Sequence, residues 1–279
     1  MKNIVTRSIS GAVYVGLIIA AVLAGKAWLL TLMSVFAVLG VIEINRLVCP
    51  QPQSTLRSVA TAADCLAAVA IVAGLHYLPT PSVLFLIAYF LLRMTLALYD
   101  HGENPFRAVA WSFLSVLYLG IPLHMTGLYS DLTSGAGPLL LMFVMIWLND
   151  TGAYLVGSRI GRRRLFERLS PKKSWEGFWG GMAFCVIAGI AARFILPGGS
   201  LSALIPSGAS MGVLIGAGIL TSVFSTWGDL FESLMKRNMG VKDSGHLIPG
   251  HGGILDRIDS LLFVAPASVI YIVLAIYLL

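Results

Sequence analysis

Charged residues are scarce in this chain and crowd into one stretch. Between Ser225 and Ser260 lie Asp229, Glu232, Lys236, Arg237, Lys242, Asp243, His246, His251, Asp256, Arg257 and Asp259. Asp229, Glu232 and Lys236 are spaced three and four apart, so one helix face carries all three. Asp256 and Asp259 stand in the same relation at the start of the next apolar run. Two acidic helix ends offer hard oxygen donors, which suit Mg²⁺ held by carboxylates together with substrate phosphates. Lys236, Arg237, Lys242, His251 and Arg257 are donors for phosphate oxygens. Gly250, Gly252 and Gly253 let backbone approach a ligand closely. The competing reading is a set of structural ion pairs closing a loop. Carboxylates, bases and a glycine turn gathered beside apolar runs favour a metal and polyphosphate site. His251 either contacts phosphate or caps the glycine-rich turn.

Two further places could carry chemistry. In Trp147-Leu148-Asn149-Asp150-Thr151-Gly152, Asn149 and Asp150 sit inside an otherwise apolar run, where an ionisable group marks a functional site or a buried pair. In Ser170-Pro171-Lys172-Lys173-Ser174, paired lysines beside hydroxyls precede a helix, whose N-terminal N–H groups add to an anion site. That stretch reads equally as a loop touching lipid headgroups, and Arg162-Arg163-Arg164 fits the latter role well. No G-x-x-x-x-G-K-[ST] loop and no Ser/His/Asp order is present, so neither a P-loop nor acyl transfer is supported.

The elements that must position these residues follow from composition. The 279 residues are 57% hydrophobic and 11% charged, with mean hydropathy +0.86. Soluble domains carry roughly 25% charged residues, so this chain needs the bilayer as its solvent. Nine runs are long enough to span: about 8–24, 27–47, 59–78, 82–99, 107–128, 137–157, 176–196, 209–235 and 260–279. The expected fold is an all-α polytopic membrane bundle. Lys2 and Arg7 before an apolar run resemble a signal peptide, but a second run follows at once, so an uncleaved first helix is expected.

Connections after the second, fourth, sixth and eighth runs hold most of the Lys and Arg, with Arg93 and Arg107 flanking the second of these. The other connections carry almost none. This alternation predicts a cytoplasmic N-terminus and charged loops facing the cytoplasm. The net charge of +6 is thus a matter of topology, and no nucleic-acid partner is expected. Cys49, Cys65 and Cys185 are scattered and read as buried apolar residues. His76, His101 and His124 lie away from the charged stretch and read as exposed or interface residues.

Ser233-Leu234-Met235-Lys236-Arg237, four residues, then Lys242-Asp243-Ser244-Gly245-His246-Leu247-Ile248-Pro249-Gly250-His251-Gly252-Gly253-Ile254-Leu255-Asp256-Arg257-Ile258-Asp259 resembles the complete signature of phosphatidate cytidylyltransferases. Gly228-Asp229-Leu230-Phe231-Glu232-Ser233, Asn149-Asp150-Thr151-Gly152-Ala153-Tyr154 and Ser170-Pro171-Lys172-Lys173-Ser174 are similar to the family's other motifs. The resemblance is detailed only in the C-terminal half. It implies a structural, lipid-facing region over residues 1–135 and a catalytic region over 136–279. It implies CTP and phosphatidate as substrates, CDP-diacylglycerol and pyrophosphate as products, and Mg²⁺ as cofactor, with room for a second cation. Asp229 and Asp256 would ligate the metal. Lys236, Arg237, Lys242 and Arg257 would hold phosphate oxygens, while Asp243, His251 and Asp259 orient them. Ser170, Lys172 and Lys173 would close over substrate phosphate, with Asn149 and Asp150 contributing from their helix and Gly252 and Gly253 lining the substrate. The family also implies a homodimer in a bacterial inner membrane, with the site facing the cytoplasm. A cation- or proton-coupled transporter using Asp150 and Asp229 is the competing class, although charge confined to one half argues for a one-sided enzyme.

Overall fold

The computed structural model describes residues 2–48, 55–101, 104–133, 135–195, 210–241, 244–245 and 252–278, with side chains described from residue 9 onward except at 210 and 278. Among these residues the chain is almost wholly helical. The helices are α1 (Lys2–Ala24), α2 (Lys26–Val48), α3 (Thr55–Tyr77), α4 (Pro79–Leu98), α5 (Pro105–Leu132), α6 (Ala136–Ile160), α7 (Trp175–Ile195), α8 (Ser210–Asn238) and α9 (Leu255–Leu278). Eight of them, α2 to α9, are long and apolar enough to cross a membrane. The protein is an all-α integral membrane bundle, as the hydropathy pattern predicts.

Two boundaries differ from the sequence reading in a way that matters. Helix α9 begins at Leu255, five residues before the predicted start, so Asp256 and Asp259 both lie in its first turns. Helix α8 runs on to Asn238 and takes Lys236 and Arg237 into its last turn, where cations complement the helix dipole. A third difference is an element the sequence reading treats as loop. Strands β1 (Arg164–Phe166) and β2 (Ser170–Ser174) pair antiparallel, with Arg164 opposite Ser174 and Phe166 opposite Ser170.

The chain divides into two compact units. The first comprises Met1–His124 with Asp243–Arg257, and the second Met125–Lys242 with Ile258–Leu279. Helices α5 and α9 therefore contribute residues to both.

In the first unit α2 packs on α1 and α3, and α3 on α4. A Cβ on Gly40 of α2 would lie 2.8 Å from Leu119 Cδ1 of α5, so the small residue admits the neighbour. Ala63, Ala67, Ile71, Tyr89 and Val116 form one buried cluster. Asp64 is fully buried beside it and accepts hydrogen bonds from Asn45 Nδ2 (2.9 Å), Tyr89 OH (2.9 Å) and Ser112 Oγ (2.7 Å). Arg93 Nε lies 3.0 Å from Asp64 Oδ1. This corrects the reading of Arg93 as a loop-flanking topology charge: it is 6% exposed and neutralises a buried carboxylate. His76 and His124 are half-buried, and His124 Nδ1 lies 3.1 Å from the Val72 carbonyl, so neither is a plain surface residue.

In the second unit α6 and α7 pack along much of their length, with α8 against both. Glycines set that approach: a Cβ on Gly177 would lie 2.8 Å from the Ala153 carbonyl, and one on Gly181 2.5 Å from Asn149 Oδ1. Cys185 is buried here, its thiol 3.2 Å from the Met145 carbonyl.

Candidate active site

In the second unit, the hairpin is built to present lysines. Glu176 accepts the backbone N–H groups of Arg162 (3.0 Å) and Arg163 (3.2 Å). Trp175 N donates to the Arg163 carbonyl at 2.9 Å. Ser174 Oγ accepts the Gly177 N–H at 3.1 Å, satisfying an orphan donor at the start of α7. The turn before α7 is thereby fixed at both strands, and β2 carries Ser170, Lys172 and Lys173.

Lys173 Nζ lies 2.6 Å from Asp229 Oδ2 on α8. Gly228, next to Asp229, lets α9 come close: a Cβ there would sit 2.4 Å from the Asp259 carbonyl. As a result, Asp229, Glu232 and Asp259 each offer a carboxylate oxygen within 4.8 Å of the others. Lys236 Nζ meets Glu232 Oε2 at 2.5 Å, the i,i+4 pair that spacing predicts on this face. Ser233 Oγ stands 3.4 Å from Asp229 Oδ1.

Beside Asp229 is a cavity of about 570 Å³, lined among others by Asn149, Asp150, Tyr154, Arg164, Lys172 and Lys173. Three of the sequence's motifs thus meet at one hollow. Asn149 is buried, and its Oδ1 accepts Ser222 Oγ at 2.8 Å, so it also ties α6 to α8. Asp150 is exposed at the cavity.

The remaining candidates fall as follows. Ser170 is half-buried on β2, away from the cavity lining, and Arg237 is exposed at the end of α8. In the first unit, Asp256 Oδ2 accepts Ser244 N–H (3.2 Å), Ser244 Oγ (2.9 Å) and Gly253 N–H (2.9 Å). Gly252 has φ +83°, and a Cβ there would lie 2.5 Å from Asp256 Oδ2. This glycine lets backbone approach a carboxylate of its own chain. The carbonyl of Arg257 accepts Tyr14 OH from α1 at 2.8 Å. Lys242, Asp243, His246 and His251 lie outside the described residues.

Sequence reasoning underrated Glu232, which it placed on the acidic face but not in the site, and passed over Glu43 and Ser244. Glu43 accepts the backbone N–H groups of Ile254 and Leu255 where α9 begins, and Ser244 Oγ lies 3.2 Å from its Oε2. The signal was available, since Glu43 is an ionisable residue inside an apolar run.

A family model, described as the cytidylyltransferase family, matches residues 5–275, which is nearly the whole chain and includes every motif above. The chain belongs to the cytidylyltransferase family. It is 36% identical over 181 residues to a protein of Staphylococcus aureus (strain COL) named phosphatidate cytidylyltransferase. A protein of the same name from Staphylococcus haemolyticus (strain JCSC1435) is also 36% identical over 181 residues, and one from Staphylococcus epidermidis is 35% identical over 181 residues. The matched stretch covers 65% of this chain and 65% of each relative, just under two thirds of the relatives' length.

Proposed function

We propose that the protein transfers CMP from CTP to phosphatidate, giving CDP-diacylglycerol and pyrophosphate in phospholipid synthesis. One observation carries the reading: Lys173 of the Ser-Pro-Lys-Lys-Ser hairpin meets Asp229 at 2.6 Å beside a cavity that Asn149 and Asp150 also line. Anion-binding cations and oxygen donors thus share one hollow, as transfer between two phosphate-bearing substrates requires. The names of the relatives agree with it.

In the proposed step an oxygen of the lipid phosphate attacks the α-phosphorus of CTP. The bond from that phosphorus to the β-bridging oxygen breaks, and pyrophosphate leaves with the electron pair. The lipid phosphate is already a nucleophile, so no Ser or Cys nucleophile is needed. The protein must align two anions and offset their charge. Lys173 and Lys172 would hold phosphate oxygens from the hairpin, with Arg164 lining the same cavity. Lys236, Arg237, Lys242 and Arg257 would hold the remaining phosphate charge, and Asp243, His251 and Asp259 would orient these donors.

Three carboxylates offering oxygens within 4.8 Å of one another fit a hard divalent cation such as Mg²⁺. Such an ion would supply positive charge there, offsetting that of the phosphates and of the leaving pyrophosphate. Asp229 would hold it in either of two ways, with Asp256 as the signature implies or with Glu232 and Asp259 as their proximity favours; a second cation has room in so acidic a set. The charged loops and this site would face the cytoplasm, in a bacterial inner membrane, with residues 136–279 carrying the chemistry and two copies forming a dimer.

The test is CTP-dependent pyrophosphate release by purified protein in phosphatidate-containing micelles, with Mg²⁺ and with EDTA, for wild type and Asp256→Asn. Release that needs CTP, phosphatidate and Mg²⁺ and is lost in the variant is the expected result. No release from folded wild-type protein overturns the reading in favour of transport. Release that survives in the variant keeps the transferase and moves the metal away from Asp256.

A further inference from the structure

Glu43 sits among Val41, Ile42 and Ile44 on α2 and is 6% exposed. A carboxylate in an apolar membrane helix is costly unless its oxygens are matched. Its partners lie some two hundred residues away in sequence. Ile254 N–H donates to Oε1 at 2.8 Å, Leu255 N–H to Oε2 at 3.1 Å, and Ser244 Oγ lies 3.2 Å from Oε2. The two N–H groups stand at the beginning of α9, where a helix has no internal acceptors for them. Glu43 therefore caps α9 from another helix, with its negative charge at the positive end of the dipole.

The surrounding glycines are shaped to this carboxylate. A Cβ on Gly245 would lie 2.8 Å from Glu43 Oε1. One on Gly253 would lie 2.4 Å from Glu43 Oε2 and 2.1 Å from Ser244 Oγ. Both are glycines of the signature, so part of that signature is a socket for Glu43, a residue well outside it.

The same socket holds Asp256. Ser244 Oγ is 2.9 Å from Asp256 Oδ2 and 3.2 Å from Glu43 Oε2, so its one hydroxyl proton lies between two carboxylates and favours the nearer. Gly253 N–H donates to Asp256 Oδ2 from the position just before Ile254, whose N–H is held by Glu43. Asp256 is oriented by a serine whose hydroxyl also faces Glu43 and by the peptide N–H directly preceding the two that Glu43 holds.

We infer that Glu43 is a positioning residue for Asp256, acting through Ser244 and the Gly253–Leu255 backbone. The catalytic consequence rests on the proposed transferase reading, whereas the grip on α9 rests on the geometry alone. A merely structural Glu43 would lower stability without touching turnover per folded molecule.

The experiment compares full-length wild type, Glu43→Gln, Ser244→Ala and the double variant in detergent micelles. Amide hydrogen exchange is followed over residues 252–257, alongside kcat and KM for CTP. Gln keeps the size of Glu43 but sets an NH₂ against donors. Exchange should quicken in folded Glu43→Gln. Its kcat should fall about 30- to 100-fold, as small misplacements of reacting groups do, with KM changed less than about 3-fold. The double variant should be no slower than Glu43→Gln, because both act through one chain of contacts. Unchanged exchange in folded Glu43→Gln overturns the grip. A kcat within about twofold of wild type, or losses that simply multiply in the double variant, overturns the positioning role. If wild type releases no pyrophosphate, the transferase reading fails and the positioning role with it, while the exchange comparison still decides the grip.

Discussion

In the first unit one carboxylate, Asp64, receives Asn45, Tyr89, Ser112 and Arg93. In the second, Asp229, Glu232 and Asp259 crowd within 4.8 Å, met by Lys173 and Lys236. Both clusters sit among apolar helices, yet they are composed in opposite ways. Around Asp64 donors outnumber the acid, and the carboxylate is fully buried. Around Asp229 acids outnumber bases, and the Asp229 side chain keeps 35% of its surface exposed beside a cavity of about 570 Å³. A buried ionic group that is completely matched fixes a fold. One left acidic at an open hollow has room for a cation and for phosphate.

The sharpest way to break that contrast is to neutralise one acid in each cluster. Asp229→Asn should lower pyrophosphate release by about 10³-fold, in the range of losing one well-placed electrostatic group, while melting temperature stays level or rises as repulsion is relieved. Thermal unfolding alongside steady-state rates reads both. A variant that is inactive only because it unfolds would make the acidic cluster structural after all. Asp64→Ala should do the reverse. It strands Arg93 without its partner, a change that costs about 3–5 kcal/mol in buried pairs, and leaves kcat per folded molecule unchanged. Denaturant or thermal unfolding in a fixed detergent, with rates normalised to folded protein, checks it. A large fall in kcat with full stability would place Asp64 in the chemistry.

How much of this was legible in the sequence differs between the clusters for a physical reason. The C-terminal acids and bases announce themselves by helical spacing, and the Glu232–Lys236 pair follows directly from it. Spacing also places Asp256 and Asp259 on one face, but it cannot show that Ser244 and Gly253 claim an oxygen of Asp256. The Ser244 contact joins residues twelve apart, and the Gly253 contact, though only three apart, needs the backbone conformation at the start of α9. Asp64 and Glu43 carry the same cue as Asp150, an ionisable residue in an apolar run, yet their meaning depends on partners 19 to 212 residues away. Arg93 reads as a topology charge for the same reason, because nothing local points to Asp64. The hairpin at 164–174 was hidden by its composition, since arginines and lysines beside a membrane read as loop until the strand register is seen.

A milder test sharpens the second cluster. Lys173→Met removes the cation facing Asp229 but keeps the length and apolar stem of the side chain. If Lys173 holds substrate phosphate, KM for CTP or for phosphatidate should rise about tenfold, with a smaller change in kcat, the mark of lost binding common to ground and transition states. Separate titrations of the two substrates show which phosphate it meets. A fall in kcat alone would instead make Lys173 a group that acts only in the transition state.

The smallest expected effect belongs to Tyr89→Phe in the first unit. The variant deletes one of the hydroxyl donors to Asp64 and leaves the ring, which packs edge-on to Phe113 with centroids 5.8 Å apart. Asn45, Ser112 and Arg93 still hold the carboxylate, so the loss should be that of one hydrogen bond to a charged group, about 1.5–3 kcal/mol at most, with turnover per folded molecule unaltered. Unfolding midpoints for Tyr89→Phe and Asp64→Ala, singly and together, extend the test. If Tyr89 matters only through Asp64, the double variant should be no less stable than Asp64→Ala. Additive losses would mean that the Tyr89 hydroxyl stabilises the first unit independently of Asp64, and that the Asp64 cluster is less closed than its four donors imply.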